Sequence, residues 1–412
     1  MTINLFMINR TASFILVLVM ILNTIGASAG KSGFPDPREI QLRLKQLNKP
    51  ALKSIESPDG DIIDCVSITE QPAFDDPLLR DHTIQMRPSF DIEDLSTSDA
   101  FGNGTNSDSI SQLWRTNGEC PENTVPIRRT TKEDLLRDEK YGKKYQNKTS
   151  NPNFSNHRIR DPKEHEYAVA FATKGWYNGA KARMNVWKPW VQYANEFSLS
   201  QIWVTSGVHD IDLNTLEAGW QVYKRLYKDN NPRLFAYWTR DSYGETGCYN
   251  HVCPGFVQTS RTIALGASIR PISAFGGAQY GITLIIKKDQ TTGNWWLGYQ
   301  GTMVGYWPGS IVPNLANGAT GITWGGEILN KRMNGKHTTT DMGSGRFPYE
   351  RFREASYFRN LGVFDMENVL RDPGTLKPGT TNPHCYDVKI SSSKSWGTYF
   401  YYGGPGLNSR CP

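Results

Sequence analysis

Residues 211–224 read IDLNTLEAGWQVYK, and their polarity alternates like that of a β-strand buried on one face. In an extended chain Glu217, Gln221 and Tyr223 point to one side, and the bulky apolar residues point to the other. A carboxylate therefore stands on one face of this strand, while Trp220 stands on the face suited to a core.

A second stretch, residues 321–329, repeats this arrangement with the sequence GITWGGEIL. Glu327 stands beside Gly325 on one face, and Trp324 lies on the other. Glu327 is the only charged residue between positions 289 and 331. From spacing alone, a structural ion pair or a backbone hydrogen bond is favoured for each glutamate, and catalysis is the alternative. The two tryptophans are expected to belong to the core.

From position 161 onward the chain contains many short segments rich in Val, Ile, Tyr, Trp and Thr, many of them separated by turn-forming residues. No long helical pattern interrupts them. We therefore predict an all-β domain over residues 161–412, built as two stacked antiparallel sheets or as a barrel. Residues 343–372 are crowded with arginine and aromatic side chains. There we expect a long loop or a short helix packed against the strands.

The first third of the chain differs in composition. Residues 1–29 have the charged start, apolar run and small-residue end of a secretory signal peptide, and the run is short for a membrane anchor. Residues 30–135 predict a small α+β module that begins with an amphipathic helix from position 37 to about Pro50. The polar residues 136–160 predict an exposed linker, the kind of segment that proteases cut.

The six cysteines predict disulfides, because cysteines of exported chains are normally oxidised. Pairing in sequence order is the simplest of the fifteen connectivities that six cysteines allow. This order gives the pairs Cys65–Cys120, Cys248–Cys253 and Cys385–Cys411. Three N-x-S/T sequons fit the same secretory route and are glycosylation candidates, at Asn103, Asn147 and Asn153.

Several functional classes find no support in the sequence. The net charge of +6 is mild for 412 residues and forms no basic stripe, so neither a nucleic acid nor a membrane is an expected partner. The seven histidines are scattered and make no paired zinc motif, and phosphate-loop and dinucleotide fingerprints are absent. We therefore expect no metal and no cofactor. A cysteine nucleophile would break the even cysteine count, and no G-x-S-x-G motif is present.

A pair of carboxylates on an aromatic β-surface remains. If one carboxylate activates a water while the other donates a proton, the pair can hydrolyse a peptide bond or a glycosidic bond. The alternatives to a peptidase are therefore a carbohydrate-active or cell-wall-binding β-sandwich protein, and a non-catalytic interaction module.

Long motifs in a fixed order favour the peptidase. They include DCVSITEQPAFDDPLLRDHTIQMRPS (64–89), CPENTVPIRR (120–129), LEAGWQVY (216–223), TGCYNHVCPGFVQ (246–258), WGGEI (324–328) and MGSGRFPYERFREASYFRN (342–360). In these motifs the chain resembles the plant neprosin family, secreted glutamic peptidases with an N-terminal activation module. The resemblance implies that Glu217 and Glu327 are the catalytic glutamates. It also implies a sandwich of two antiparallel sheets, the disulfides Cys248–Cys253 and Cys385–Cys411, and cleavage after proline.

These features predict a secreted, monomeric zymogen whose final location is the extracellular space, the cell wall or the vacuole. Its partners would be a polypeptide substrate, proline-rich or unfolded, and its own propeptide acting as an inhibitor over the cleft. We expect Glu217 to act as the base and Glu327 as the acid, with Gln221 and Tyr223 as candidates to bind the oxyanion. Because the pair needs one proton between its two carboxyls, activity should peak at acidic pH and fade towards neutrality.

Overall fold

The computed structural model describes residues 37–91, 111–140, 164–172 and 175–412. The predicted signal peptide, the three sequon asparagines and most of the predicted linker lie outside these described residues. Within the described ranges, no helix is long and apolar enough to cross a membrane.

The N-terminal part contains two helices and a small sheet. The helices are α1 (Pro37–Leu47) and α2 (Lys132–Lys140). The antiparallel sheet has the order β1-β2-β4, with β1 (Ala51–Glu56), β2 (Ile62–Ser67) and β4 (Thr124–Arg128). Helix α1 ends before Pro50, since proline disrupts a helix interior, and the next residues pair with β2. Helix α2 runs across position 135, where the sequence places the boundary between module and linker.

The C-terminal part is built on two large antiparallel sheets. The first has the order β18-β5-β15-β7-β8-β9. Its strands are β5 (His165–Ala172), β7 (Ser198–Ser206), β8 (Asn214–Val222), β9 (Arg233–Thr239), β15 (Gly321–Leu329) and β18 (Leu376–Thr380). A short helix, α3 (Lys224–Tyr227), follows β8.

The second sheet has nine strands among the described residues, in the order β10-β14-β13-β12-β6-β16-β20-β19, with β17 paired to β16. They are β6 (Gly179–Asn185), β10 (Val257–Gln258), β12 (Gly281–Lys288), β13 (Trp295–Tyr299), β14 (Thr302–Trp307), β16 (Ser356–Phe364), β17 (Leu370–Arg371), β19 (Asp387–Ser393) and β20 (Gly397–Gly403). A separate two-stranded pairing joins β3 (Ser111–Gln112) of the N-terminal part to β11 (Ile269–Arg270).

The core lies between the two large sheets, which confirms the predicted sandwich. Trp220 and Trp324 of the first sheet are fully buried in one apolar cluster with Leu284 and Phe358 of the second sheet. The indole Nε1 of Trp220 donates a hydrogen bond to the carbonyl of Asn185 on β6, at 2.9 Å. Burying one such large apolar side chain contributes about 1.5–3 kcal/mol. Since these tryptophans face the core, the alternate residues of β8 and β15 face outward, away from the second sheet.

One expectation is wrong: residues 343–372 are not only a loop or short helix. They contribute β16, which lies inside the second sheet between β6 and β20. The register of β16 against β6 shifts between Arg359 and Gly362, and Asn360 has a φ of 51°. This bulge interrupts the alternation of side chains, and therefore the strand signal in the sequence.

The described chain contains the three disulfides Cys65–Cys120, Cys248–Cys253 and Cys385–Cys411. These are the pairs that the order of the cysteines predicts. No free cysteine is found in the part of the chain that the structure describes.

Candidate active site

Glu217 and Glu327 lie on the same outer face of the six-stranded sheet. Glu217 on β8 pairs in register with Trp203 of β7, and Glu327 on β15 pairs with Leu199 of the same strand. Positions 199 and 203 are an even number of residues apart, so their partners project to the same side. The two glutamates are therefore separated by one strand, and both point away from the core.

Gln201 stands midway between the two glutamates on the intervening strand. It pairs in register with Gly219 of β8 on one side and with Gly325 of β15 on the other. Each glutamate is two residues from one of these glycines, so Gln201 is a diagonal neighbour of both. Diagonal neighbours in an antiparallel sheet lie about 7–8 Å apart.

The Glu217 carboxyl is fully buried, and the donors that hold it include one amide and two hydroxyls. The Nε2 of Gln201 donates to its Oε2 at 2.8 Å. The hydroxyls of Thr215 and Tyr243 donate to its Oε1 at 3.0 and 2.5 Å. These donors, which reach both oxygens, complement a negative charge and fix the orientation of the carboxylate.

The Glu327 carboxyl is also fully buried. The Nδ1 of His165 lies 2.6 Å from its Oε1, and the hydroxyl of Tyr167 donates to the same oxygen at 3.2 Å. Both partners come from β5, which pairs with β15 and places Tyr167 directly opposite Glu327. The two glutamates therefore have different surroundings: an amide and hydroxyls contact Glu217, whereas an imidazole and a phenol contact Glu327.

An aromatic wall surrounds both carboxyls. Its members form one buried cluster that includes Tyr167, Trp203, Tyr223, Phe235, Tyr237, Tyr243 and Tyr249. Burial, and then the negative charge of Glu217, raises the pKa of Tyr243 well above its usual value. The pKa of Tyr249 is likewise raised by burial first, then by Glu327, with a smaller contribution from Glu217. Both glutamates thus affect the pKa of Tyr249, so the two carboxyls border one common set of tyrosines.

The two predicted oxyanion residues lie close to this face. Gln221 is fully buried and occupies the register row of Leu199 and Glu327. Its Nε2 donates to the hydroxyl of Tyr227 at 2.9 Å, so one amide hydrogen is already engaged. Tyr223 lies just after the end of β8 and contacts Tyr249 edge-to-face. The oxyanion role of both residues remains a prediction.

Sequence reasoning missed the groups that are described above as contacting the glutamates: His165, Tyr167, Gln201, Thr215 and Tyr243. His165 is one of seven scattered histidines in the sequence, yet it begins strand β5. Gln201 lies in residues 200–207, SQIWVTSG, one of the short strand-like segments that follow position 161. Alternation along this segment assigns Gln201 to one face of the strand. Only the strand order shows that this strand lies between the strands of Glu217 and Glu327.

In the described ranges, one group of three side chains has the spacing of metal ligands: His337, Cys385 and Cys411. Its two cysteines form a disulfide, so they offer no thiolate to a metal ion.

The Neprosin family model matches residues 194–405, which is more than half of the chain and includes both glutamates. The Neprosin activation peptide model matches residues 54–171.

Three solved structures show weaker similarity. A scytalido-glutamic peptidase bound to a peptide-based transition-state analogue is 13% identical, with 59% of this chain and 98% of that chain covered and a TM-score of 0.32. SCP-B, a member of the eqolisin family of peptidases, is 11% identical, with 58% and 96% covered and a TM-score of 0.28. CG-16, a homodimeric agglutinin from chicken liver, is 9% identical, with 42% and 96% covered and a TM-score of 0.21.

The two family matches place an activation peptide ahead of a peptidase domain that carries Glu217 and Glu327. The chain is thus the zymogen of a glutamic endopeptidase, and it belongs to the neprosin family.

Proposed function

We propose that Glu217 and Glu327 together carry out peptide-bond hydrolysis in this endopeptidase, with Glu217 as the base and Glu327 as the acid. The observation that carries the proposal is the placement of two buried glutamates on one outer sheet face. They lie on either side of Gln201 and share one aromatic wall.

In this mechanism Glu217, ionised, accepts a proton from a water as the water oxygen bonds to the scissile carbonyl carbon. The protonated Glu327 donates a hydrogen bond to the carbonyl oxygen, which gains negative charge. It then protonates the leaving amine as the carbon–nitrogen bond breaks. The proton taken by Glu217 restores Glu327 for the next cycle. The pair thus holds one proton in the resting enzyme, and we expect its activity to be highest at acidic pH.

The proposal extends to cleavage after proline in extended chains. The aromatic side chains beside the glutamates offer flat apolar surfaces against which a pyrrolidine ring can pack. The enzyme would be secreted and act as a monomer. A secretory route agrees with the three disulfides of the described chain, which need an oxidising compartment.

The proposal also makes the N-terminal module an inhibitor of the peptidase. The chain from Gln41 to Pro412 forms one compact unit, so the module packs against the sandwich. Both glutamates are fully buried in this full-length form. A cavity between the two parts is lined by Leu135 of the module and by Tyr223 and Tyr249 of the aromatic wall. The module therefore reaches the wall that surrounds the proposed catalytic pair.

A buried ion network fastens the module. The guanidinium of Arg233 is fully buried and forms an ion pair with Asp61 of the module. It also lies 3.6 Å from Asp59 of the module and 2.6 Å from Asp229 of its own domain. Paired glutamine contacts add to the interface: Gln71 exchanges two hydrogen bonds with the backbone of Gln258, at 3.0 and 2.7 Å.

The test is acid activation of the purified chain. At about pH 3 to 4, roughly the range in which carboxyls become protonated, the chain should lose its module by cleavage between positions 130 and 160. It should then cut a proline-rich peptide. Glu217→Gln and Glu327→Gln should abolish this cleavage, and Glu367→Gln, on an exposed turn, should not. Unchanged cleavage in either of the first two variants would refute the carboxylate pair. Cleavage of peptides that lack proline at the same rate would refute the specificity alone.

A further inference from the structure

We propose that Gln201 is a positioning residue for the hydrolysis, holding the Glu217 carboxylate with its amide nitrogen and the attacking water with its amide oxygen. This inference rests on the proposed catalytic roles of Glu217 and Glu327.

The first support is the site that the sheet builds around Gln201. The side chain is fully buried although it lies on the outer face of the sheet. Both of its direct neighbours across the strands are glycines, Gly219 and Gly325, so no other side chain occupies its row there. A Cβ atom on Gly219 would lie 2.7 Å from the Cβ of Gln201 and 1.9 Å from the carbonyl oxygen of Ser200. The backbone of β8 thus approaches Gln201 too closely for any larger residue.

The second support is the hydrogen bonding of the Gln201 amide. Its Nε2 donates to Oε2 of Glu217 at 2.8 Å, and this contact fixes the orientation of the amide, because an amide oxygen would repel a carboxylate. The Oε1 atom is therefore turned away from Glu217. It is buried and has no hydrogen-bond partner among the described residues. Leaving such an acceptor unsatisfied costs about 1–3 kcal/mol, so a polar side chain in this state is suited to a donor that arrives with the reaction.

The chemistry of the proposed reaction supplies such a donor. The attacking water has two O–H bonds. One proton passes to Glu217, and the other hydrogen needs an acceptor that holds the water while its lone pair faces the carbonyl carbon. Gln201 is a diagonal neighbour of both glutamates, so a water held between the two carboxyls would lie beside its side chain. Gln201 gains and loses no proton and forms no bond to the substrate.

A purely structural glutamine would behave differently. If Gln201 only satisfied a buried carboxylate, its loss would lower the thermal stability of the protein and the fraction of active enzyme. It would not separate kcat from KM among the molecules that fold. A positioning residue lowers kcat selectively, because the water is held only during the chemical step.

The experiment compares Gln201→Met with the unaltered enzyme after module removal. An unrelated acid protease, inhibited afterwards, can complete the processing in every variant. A displacement of about 1 Å in a reacting group costs about 100-fold in rate. We therefore expect kcat to fall about 100-fold with KM within about threefold, per active site. Gln290→Met, in an exposed loop, is the matched control and should change neither parameter.

A second variant keeps the test decisive where methionine prevents folding. Gln201→Asn retains both ends of the amide but is one methylene shorter, so it cannot reach Glu217 and the water together. It should show the same fall in kcat. A kcat within twofold of the unaltered enzyme in either folded variant overturns the inference. Glu217→Gln, measured in the same assay, separates this inference from the proposed function. If Glu217→Gln is inactive, an unchanged kcat in the Gln201 variants overturns only the role of Gln201. If Glu217→Gln is active, the proposed function itself fails.

Discussion

Asp61→Asn should make the zymogen activate at a higher pH. The substitution removes the charge that the module places against the buried Arg233, while the shape of the side chain is kept. Breaking a buried ion pair by removing one partner costs about 3–5 kcal/mol. Arg233 retains Asp229 at 2.6 Å and Asp59 at 3.6 Å, so the lower figure, about 3 kcal/mol, applies. This corresponds to a module that is released roughly 100-fold more readily.

The direction of the pH effect follows from the carboxyl of Asp59, whose partners include Ser268 and Arg233 of the sandwich. Burial acts to raise the pKa of Asp59, but hydrogen bonds from Ser268 and Ser57 and the charge of Arg233 outweigh it and leave the pKa lowered from 3.8. A carboxyl with a lowered pKa stabilises the folded contact above its unfolded pKa. That stabilisation is lost as the pH falls below 3.8 through the folded value.

The size of the shift follows from the same linkage. If Asp59 binds one proton on release, the free energy of docking changes by about 1.4 kcal/mol per pH unit below its unfolded pKa. A loss of about 3 kcal/mol exceeds that change, so the activation midpoint should move upward by at least about one pH unit. Besides Asp59, the charged and titratable groups facing Arg233 or its partners include Asp61, Asp229, Arg128, Asp134 and Tyr227.

The assay is the fraction of chain processed after a fixed time between pH 3 and pH 7, a range that spans carboxyl and imidazole titration, read by gel electrophoresis. The matched control is Asp75→Asn, which breaks the partly exposed bridge between Lys49 and Asp75 within the module. Such a pair is worth about 0–1 kcal/mol, so its activation midpoint should stay in place. An Asp61→Asn chain that folds and activates at the same pH as the unaltered zymogen would refute the reasoning.

Two further predictions concern the core and the acid. Trp220→Ala should lower the free energy of unfolding by about 3–5 kcal/mol, because it opens a cavity between the sheets and removes the hydrogen bond to Asn185. Denaturant unfolding measures this free energy. A loss below about 1 kcal/mol would contradict the prediction. His165→Gln should lower kcat about two- to tenfold with little change in KM, since a hydrogen bond is worth about 0.5–1.5 kcal/mol and His165 orients Glu327 from 2.6 Å. His384→Gln, exposed on the surface, is the control, and equal kcat values in the two variants would contradict the prediction.

The sequence predicted the fold well wherever the alternation of side chains within a single strand is sufficient to assign its faces. The alternation in residues 214–222 and 321–329 correctly assigned Trp220 and Trp324 to the core and the glutamates to the opposite face. The same reasoning failed at β16, because the bulge near Asn360 breaks the alternation that identifies a strand.

The side chains that contact the two glutamates could not be predicted from the sequence, for a different reason. His165 is 162 residues from Glu327 in the chain, and Tyr243 is 26 residues from Glu217. Alternation tells which face a residue occupies, but not which strands are neighbours. The position of Gln201 between the glutamates depends on β7 lying between β8 and β15, and that order is a property of the whole sheet.

The central claim, that Glu217 and Glu327 act as one catalytic unit, is tested most directly by kcat/KM of the two Glu→Gln variants and of the double variant. General acid–base groups each contribute about 10²–10⁴-fold, so each single variant should lose at least that much. Because neither carboxyl works without the other, the double variant should be no slower than the slower single one. Losses that multiply in the double variant, or a single variant that keeps a tenth of the activity, would contradict the account.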